Sequence, residues 1–311
     1  MVDKIAYSRG YRDPSDLQAM LDLVKKRPGD RATDFPGILD LQELLALPEI
    51  QASSQLWFDP VGQLACFALL DRDQTSVSVI FEVLAGFEGN EFEEIVFSWT
   101  NDLLRSTFPK EKGVFLLETR TADPYRIAWL ERSGFERQPG GAVHMERALD
   151  DPILDPQLPA GFRIRPIHGE AEAEDWVRLH RAAHGTENMT TQYKLAMMQT
   201  PHSLPDMDLV AIAPDGRLAA YCVSFIDVEQ NALTGQKRGH TDPVATHPDF
   251  QRRGLSKALM CNGLALLKQR GMEIACLGTG SENIAMIRTA ESVAFHITRN
   301  VICFGKSIHI G

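Results

Sequence analysis

Apolar and polar positions in the C-terminal half of the chain follow two periods. A period of two predicts strands, and apolar positions three and four residues apart predict helices. The predicted strands are 162–166, 209–213, 218–227, 239–245, 273–277 and 298–304, and the predicted helices are 170–184, 191–198, 254–270 and 283–293. The resulting order, β-α-α-β-β-β-α-β-α-β, is typical of a mixed α/β (α+β) sheet.

The chain also contains an internal repeat. A strand, a Pro/Gly turn and a second strand at 56–65 return at 210–219. Farther on, the polar start and terminal Phe of 123–135 return at 283–295. The offsets of 154 and 160 residues preserve the order of these segments and differ only through loop lengths. We therefore predict a duplicated domain.

The length and composition agree with two domains. A chain of 311 residues is too long for one typical domain and fits two of about 150 residues. Three prolines and three acids within 150–159 favour an extended surface path. The predicted organisation is one domain at 1–149, a linker at 150–160 and a second domain at 161–311.

Charge and hydropathy exclude two classes of partner. The net charge of −10 argues against a general nucleic-acid binder, which needs a basic surface. The sequence lacks an apolar run of about 18 residues, and its start lacks the features of a signal peptide. We expect a cytoplasmic protein with no membrane partner, whose five scattered cysteines are reduced and buried.

One segment combines a tight turn, two arginines and a helix start. Pro248 ends a strand, Gly254 permits a sharp backbone turn, and an amphipathic helix follows. Free N–H groups and the helix dipole make such a start an anion site. The segment Gln251-Arg252-Arg253-Gly254-Leu255-Ser256 is therefore suited to a pyrophosphate. The alternative is a basic loop that caps an ordinary helix.

This segment resembles motif A of the GNAT acetyltransferases, R/Q-x-x-G-x-G/A, with Ser256 at the last small position. The strand and helix order of 162–304 matches that family as well. The resemblance implies two tandem GNAT-like domains and acetyl-CoA as co-substrate. It implies that loop amides hold the pyrophosphate and that the backbone of the preceding strand pairs with the pantetheine arm. The residues that inherit these roles are Val244, Ala245, Thr246, Gln251, Arg252, Arg253, Gly254, Leu255 and Ser256.

A second GNAT signature, N-x-x-A-x-x-L-Y-x-x-x-G-F, is only partly kept. Asn283 and Phe295 match, and the resemblance implies that Asn283 binds the cofactor. Thr289, Ala290 and Ala294 stand where Leu, Tyr and Gly are usual. In the family the tyrosine often protonates the departing thiolate, so here that proton must come from another group or from water, or transfer must not occur.

The N-terminal half repeats the second signature but not the first. Its segment at 85–94 has four acids and no arginine, and these acids would repel a pyrophosphate. We predict a degenerate GNAT-like copy that shapes the substrate cleft. One cofactor per chain follows.

Transfer of an acetyl group to an amine needs a base that takes up the amine proton. In the family a carboxylate on the strand before the phosphate loop often fills this role, which points to Asp242. His240 lies two residues earlier, on the same strand face. The alternatives are a solvated charge at a strand end for Asp242 and a surface histidine for His240.

The predicted function is an N-acetyltransferase that moves an acetyl group from acetyl-CoA to a primary amine. The expected partner is a small-molecule amine, with the acceptor open among an aminoglycoside-like amine, an amino acid, a polyamine and a protein N-terminus; a homodimer is left open. The alternative is an acyl-CoA-binding or regulatory module that has lost transfer.

Two further motifs each have an ordinary structural interpretation. The run 278–283 resembles G-x-G-x-x-G but has Asn283 in place of the third glycine. His180 and His184 have the spacing of metal ligands, yet no third ligand clusters with them in the sequence. We therefore predict no metal site and interpret the two histidines as a pair on a helix surface.

Overall fold

Every strand and helix predicted for the C-terminal half is present in the computed structural model. The structure describes residues 5–29, 31–72, 76–84, 90–107, 113–156 and 158–310. The chain divides into two compact units, of which the N-terminal unit comprises residues 1–141 and 301–311 and the C-terminal unit comprises residues 142–300.

The N-terminal unit is built on a mixed sheet. Its elements are β1 (Tyr7–Gly10), α1 (Pro14–Val24), α2 (Ile38–Leu44), α3 (Pro48–Ala52), β2 (Ser54–Phe58), β3 (Leu64–Arg72), β4 (Ser76–Val83), α4 (Asn90–Thr107), β5 (Gly113–Thr121), α5 (Pro124–Arg132) and the first part of β6 (Glu136–Ala148). The strands β1 to β5 lie side by side in chain order. Only β4 and β5 in this run are parallel, and they pair over 76–78 and 116–118.

The C-terminal unit has the same plan. Its elements are β7 (Arg163–Pro166), α6 (Ala173–His184), α7 (Thr191–Gln199), β8 (Asp208–Ile212), β9 (Leu218–Phe225), α8 (Val228–Thr234), β10 (Arg238–Thr246), α9 (Leu255–Gln269), β11 (Ile274–Gly280), α10 (Ile284–Glu291) and the start of β12 (His296–Ile310). The sheet order is β11-β10-β9-β8-β7, and the one parallel pair in this run is β10–β11. The short helix α8 was not predicted.

The ends of β6 and β12 belong to other units than the predicted domain boundaries would give them. Residues 142–148 of β6 pair with β11 and belong to the C-terminal unit. Residues 302–310 of β12 pair with β5 and belong to the N-terminal unit. The predicted domains, 1–149 and 161–311, assign these segments the other way round. A period of two identifies a strand but carries no information about which neighbour it pairs with.

The sheet of the C-terminal unit buries both of its faces. On one face, α9 packs on residues such as Cys222 and Leu209. On the other, Trp176 of α6 packs on Tyr221 and Ala245. Neighbouring residues of β9 thus point to opposite faces, as strand geometry requires. The two faces matter for the site, because helices with different roles cover them.

The repeat read from the sequence is visible in matching hydrogen bonds. In the two hairpins, Asp59 N donates to Gln63 O at 2.9 Å and Ala213 N donates to Arg217 O at 2.9 Å. Asp123 and Asn283 cap α5 and α10 with their side chains. After these helices, the backbone N–H of the terminal Phe in each repeat donates five residues back at 3.0 Å.

The five cysteines, at positions 66, 222, 261, 276 and 303, are buried free thiols, as predicted. Burial raises the pKa of Cys222 and of Cys276 to about 12, so these two thiols stay protonated at neutral pH and are not nucleophiles. Within the part of the chain that the structure describes, no helix combines the length and the apolar character needed to cross a membrane.

Candidate active site

The site begins where the parallel strands of the C-terminal unit separate. β10 and β11 pair only over 238–240 and 274–276. Beyond this point β10 continues beside β9 to Thr246, and β11 continues beside β6 to Gly280. A bulge in β10 between Thr241 and Val244 shifts its register by one residue, and bulges bend a strand and increase its twist. The facing edges of the two strands therefore leave a gap.

The backbone of β10 offers hydrogen-bonding groups to this gap. His247 N donates to Ala219 O on the β9 side at 2.9 Å. Because alternate residues of an antiparallel pair point their N–H and C=O groups to opposite sides, Ala245 also faces β9. Val244 and Thr246 face the gap. Of the three residues predicted to pair with the pantetheine arm, two thus present backbone groups there, and Ala245 does not.

The turn before α9 has the backbone of an anion cradle. Arg252 and Gly254 both lie in the left-handed region, with φ of 60° and 77°. A Cβ added at Gly254 would meet nothing within 4 Å, so the glycine is needed for its backbone conformation and not for space. Leu255 and Ala258 are buried and fix the helix start. The first N–H groups of α9 remain available to a ligand.

A cavity of about 520 Å³ opens between this turn, the end of β10 and the start of α10. All predicted cofactor-binding residues line it except Arg253. The lining carries the cations Arg252, Lys257 and Arg288, and the described lining residues include no carboxylate. In a protein with a net charge of −10, this local excess of positive charge favours an anionic ligand.

Arg253 points elsewhere. Its guanidinium donates to the carbonyl oxygen of Asp249 at 3.4 Å. It also lies 5.9 Å from the ring of Phe162 and 5.8 Å from the ring of Phe250. The structure therefore gives Arg253 a role in holding the turn, and leaves Arg252 as the arginine of the pair that reaches the cavity.

Two side-chain contacts tie the end of β10 to the turn and α9. Thr246 Oγ1 and Ser256 Oγ are 2.7 Å apart, and Gln251 Nε2 donates to Thr246 O at 3.4 Å. Ser256, which stands at the last small position of the first motif, thus joins strand to helix. Its small size leaves the helix start open to the cavity.

Asn283 caps a helix at the wall of the cavity. Its Oδ1 accepts from Met286 N at 3.1 Å and caps α10, while its Nδ2 donates to Thr279 Oγ1 at 3.2 Å. Capping by Asn is worth about 1 kcal/mol of helix stability. Asn283 lines the cavity, so its predicted contact with the cofactor would be made by a side chain that already caps a helix.

The two predicted catalytic residues lie at the divergence of the strands and do not line this cavity. Asp242 Oδ2 accepts from Gly278 N at 2.9 Å, so the carboxylate bridges β10 to β11 where backbone pairing has ended. His240 stacks on Phe225 with ring centroids 4.5 Å apart. Burial, followed by the charge of Arg238, lowers the pKa of His240 to about 4. His240 is thus neutral at pH 7.

The sequence interpretation missed a cluster on the α6 face of the sheet. His180 Nδ1 and His184 Nε2 lie 2.7 Å and 3.3 Å from the hydroxyl of the buried Tyr221, and His184 lines the cavity. His184 is exposed and His180 is half-buried, so the predicted pair on the helix surface has the Tyr221 hydroxyl as an additional partner. Trp176, His180 and His184 recur at intervals of four residues, and this single-face pattern was the available signal. Among the described residues, no group of three or more His, Cys, Asp or Glu could hold a metal ion.

Ala290, at the usual tyrosine position of the second motif, is fully buried. It packs in the core between α9 and α10, with Val293 and Phe295. This position therefore supplies no proton donor to the cavity.

Comparisons with known proteins agree with this geometry. The model of the acetyltransferase (GNAT) family matches residues 171–295. The chain is similar to mycothiol acetyltransferases, with 26% identity over 164 residues to that of Thermobifida fusca and 29% over 179 residues to that of Kineococcus radiotolerans. These alignments cover 51% of both chains in the first case and 55% of both in the second. The chain thus spans about half the length of the curated relatives it matches.

Solved structures resemble nearly the whole chain. A GCN5-related N-acetyltransferase from Sphaerobacter thermophilus superposes with a TM-score of 0.70 at 18% identity, covering 98% of this chain and 96% of that one. A tandem GNAT protein from the clavulanic acid biosynthesis pathway gives 0.69 at 16% identity, covering 96% and 97%. Residues 171–295 therefore match the model of the GNAT family, and the chain has the fold of tandem GNAT proteins.

Proposed function

We propose that the protein is an N-acetyltransferase that moves an acetyl group from acetyl-CoA to a primary amine. The observation that carries the proposal is the cavity of the C-terminal unit. It joins a left-handed turn at a helix start to a gap between separated strands, and its lining has three cations and no carboxylate among the described residues. A ligand that fits must have an anionic part and an extended arm with hydrogen-bonding groups, as acetyl-CoA does.

The residues divide the work of binding as follows. The N–H groups from Arg252 to Ser256 would hold the pyrophosphate, with Arg252 and Lys257 supplying charge. The backbone groups of Val244 and Thr246 would pair with the pantetheine arm. A backbone N–H of β10 that faces the gap would polarise the thioester carbonyl, because oxyanion stabilisation needs a fixed donor. When bound, acetyl-CoA supplies the activated acetyl group.

The amine must be neutral when it attacks, so the acceptor side needs a group that takes up a proton. The relatives named mycothiol acetyltransferase support acetyl transfer as the reaction. For the acceptor we propose the class of small primary amines. A cytoplasmic location fits a protein that uses acetyl-CoA and whose cysteines are free thiols.

The test is a thiol-release assay. The protein is mixed with acetyl-CoA and, in turn, with glucosamine, lysine, spermidine and a peptide with a free N-terminus, and the CoA thiol is measured with a chromogenic reagent. Amine-dependent thiol release is expected with at least one acceptor. Binding of acetyl-CoA with no release of the CoA thiol in the presence of any of the four amines would instead support an acyl-CoA-binding module. Such a module would have lost transfer, as the buried Ala290 would allow.

A further inference from the structure

A chain of hydrogen bonds leads from the core of the C-terminal unit to the cavity. His180 Nδ1 lies 2.7 Å from the Tyr221 hydroxyl, and His184 Nε2 lies 3.3 Å from the same oxygen. The two imidazole rings are 4.4 Å apart, and Trp176 covers His180 with ring centroids 5.3 Å apart. The cluster is therefore held by packing on one side and opens at His184 on the other.

The position of the cluster connects it to the strand that lines the gap. Tyr221 is fully buried and belongs to the apolar cluster that also contains Ala245. The two residues are register partners in β9 and β10. His184 lines the same cavity as Val244 and Thr246. His184 thus shares this cavity with the part of β10 proposed to receive the pantetheine arm.

The protonation states suit a group that accepts a proton. Partial desolvation lowers the pKa of the exposed His184 below its ordinary value of 6.5. Burial, followed by the charges of His184 and Lys194, lowers the pKa of His180 to about 4. Burial raises the pKa of Tyr221. At neutral pH both imidazoles are therefore neutral and the hydroxyl keeps its proton. The hydroxyl can then donate to one ring and accept an N–H from the other.

The charged groups around the cluster come from several elements. Lys194 of α7 pairs with Asp208 of β8 at 2.5 Å, and both are buried. Arg252, Lys257 and Arg288 line the cavity that His184 faces. A bound pyrophosphate would add negative charge to this cavity, and negative charge favours the protonated imidazole. The histidine is therefore expected to bind its proton more readily once acetyl-CoA is in place.

We propose that His184 is the catalytic base of the acetyl transfer, with Tyr221 and His180 as positioning residues. This inference rests on the proposed function. The amine nitrogen forms a bond to the thioester carbonyl carbon, and the bond from that carbon to sulfur breaks. The proton lost by the nitrogen goes to Nδ1 of His184, in the tautomer whose Nε2–H donates to the Tyr221 hydroxyl. The departing CoA thiolate takes up that proton from the resulting imidazolium, so His184 returns to its neutral form.

This assignment accounts for two features that the predicted catalytic residues leave unexplained. Asp242 and His240 do not line the cavity, and the carboxylate of Asp242 is already engaged with Gly278 N. Ala290 cannot supply the proton that the thiolate needs. A histidine that first accepts the amine proton and then releases it satisfies both requirements with one side chain.

The experiment compares His184→Gln with the wild-type protein, using whichever of the four amines the wild type acetylates. His296→Gln, which changes an exposed histidine of the same unit, is the control. We expect kcat to fall about 100-fold or more in His184→Gln, with the KM for acetyl-CoA changed by less than about 2-fold. In the wild type, kcat/KM should fall as the pH is lowered below 6.5. This fall, the acid limb of the pH profile, should disappear in His184→Gln. His296→Gln should keep the wild-type rate and limb.

Tyr221→Phe tests the positioning role, since it removes only the hydroxyl. We expect a smaller fall in kcat, about 10-fold, and a displaced acid limb, which a purely structural role would not produce. As a measurement that needs no variant, the pKa of His184 read by NMR in the wild type should coincide with the midpoint of the acid limb of kcat/KM.

The outcomes separate this inference from the proposed function. If the wild type releases thiol with an amine and His184→Gln keeps its kcat and its acid limb, His184 is not the base and the proposed function stands. A rise in the KM for acetyl-CoA alone would make His184 a binding residue and also overturn the inference. A wild type that acetylates none of the four amines overturns the proposed function, and the inference falls with it.

Discussion

Both units contain a parallel pair of strands that separate, but the cavities beside the two pairs differ in size. In each, a single parallel pair separates after about three residues, at 76–78 in β4 and at 238–240 in β10. In the C-terminal unit the separation leads to a cavity of about 520 Å³ with cations on its wall. In the N-terminal unit the cavity beside the separated strands is about 140 Å³. Among the described residues, the larger of these two cavities thus lies in the C-terminal unit.

A buried carboxylate of the N-terminal unit is paired with two arginines of the same unit. Glu82 of β4 is almost fully buried and pairs with Arg27 at 2.5 Å and Arg31 at 3.1 Å. These pairs hold the pKa of Glu82 below its usual value despite its burial. In the C-terminal unit, by contrast, Arg252 faces a cavity. An anion site therefore needs cations that are not already paired with acidic residues of the protein.

The largest effect is expected from Glu82→Gln. Removing one partner of a buried ion pair leaves the other charge uncompensated, which costs about 3–5 kcal/mol of unfolding free energy. Urea unfolding followed by tryptophan fluorescence checks this, since three of the four tryptophans lie in the N-terminal unit. Glu131→Gln breaks the exposed pair with Arg137 and should cost at most about 1 kcal/mol. Equal losses in the two variants would contradict the account of the buried network.

The next effect is expected from Ser256→Glu, which gives the C-terminal turn the acidic character of its N-terminal counterpart. The new carboxylate would repel a pyrophosphate and break the contact with Thr246 Oγ1. We expect acetyl-CoA to bind about 100-fold more weakly, or about 2.7 kcal/mol. Calorimetric titration measures it, with Gln269→Glu at the far end of α9 as the matched control. Unchanged affinity in Ser256→Glu would remove the phosphate role from this turn.

A smaller effect on stability is expected at the residues that follow the two repeated helices. Gly134 and Ala294 occupy the same place after α5 and α10 and have φ of 79° and 71°. A left-handed conformation costs a residue with a Cβ about 1–2 kcal/mol. We therefore expect Ala294→Gly to stabilise the protein by about 1 kcal/mol and Gly134→Ala to destabilise it by a similar amount. Thermal unfolding checks both signs, and a loss of stability in Ala294→Gly would show that no strain exists there.

Much of this comparison was available from the sequence. The hairpin turns, the helix caps and the Gly254 turn depend on local residues whose backbone preferences are strong. The order of strands and helices in the C-terminal half followed from hydrophobic periodicity for the same reason. The acidic loop of the N-terminal half lies largely outside the described residues, at 85–89, so its predicted repulsion of a pyrophosphate stays a prediction.

The remainder depended on contacts between distant residues. The units to which the ends of β6 and β12 belong depend on strand pairing. The hydrophobic pattern of a strand alone does not identify the strand that it pairs with. Asp242 was expected in a catalytic role, but its bond to Gly278 N joins residues 36 positions apart. The Tyr221 cluster likewise joins α6 to a strand about forty residues away. Spacing along the helix indicated the histidines, whereas only the fold brings the hydroxyl to them.

The central claim is that the C-terminal unit binds acetyl-CoA and the N-terminal unit does not. Its most direct test is the stoichiometry of acetyl-CoA binding to the full wild-type chain by isothermal titration calorimetry, repeated on Ser256→Glu at the same protein concentration. We expect one molecule of acetyl-CoA per chain for the wild type and loss of this binding in Ser256→Glu. Two molecules per chain, or one that persists unchanged in Ser256→Glu, would contradict it.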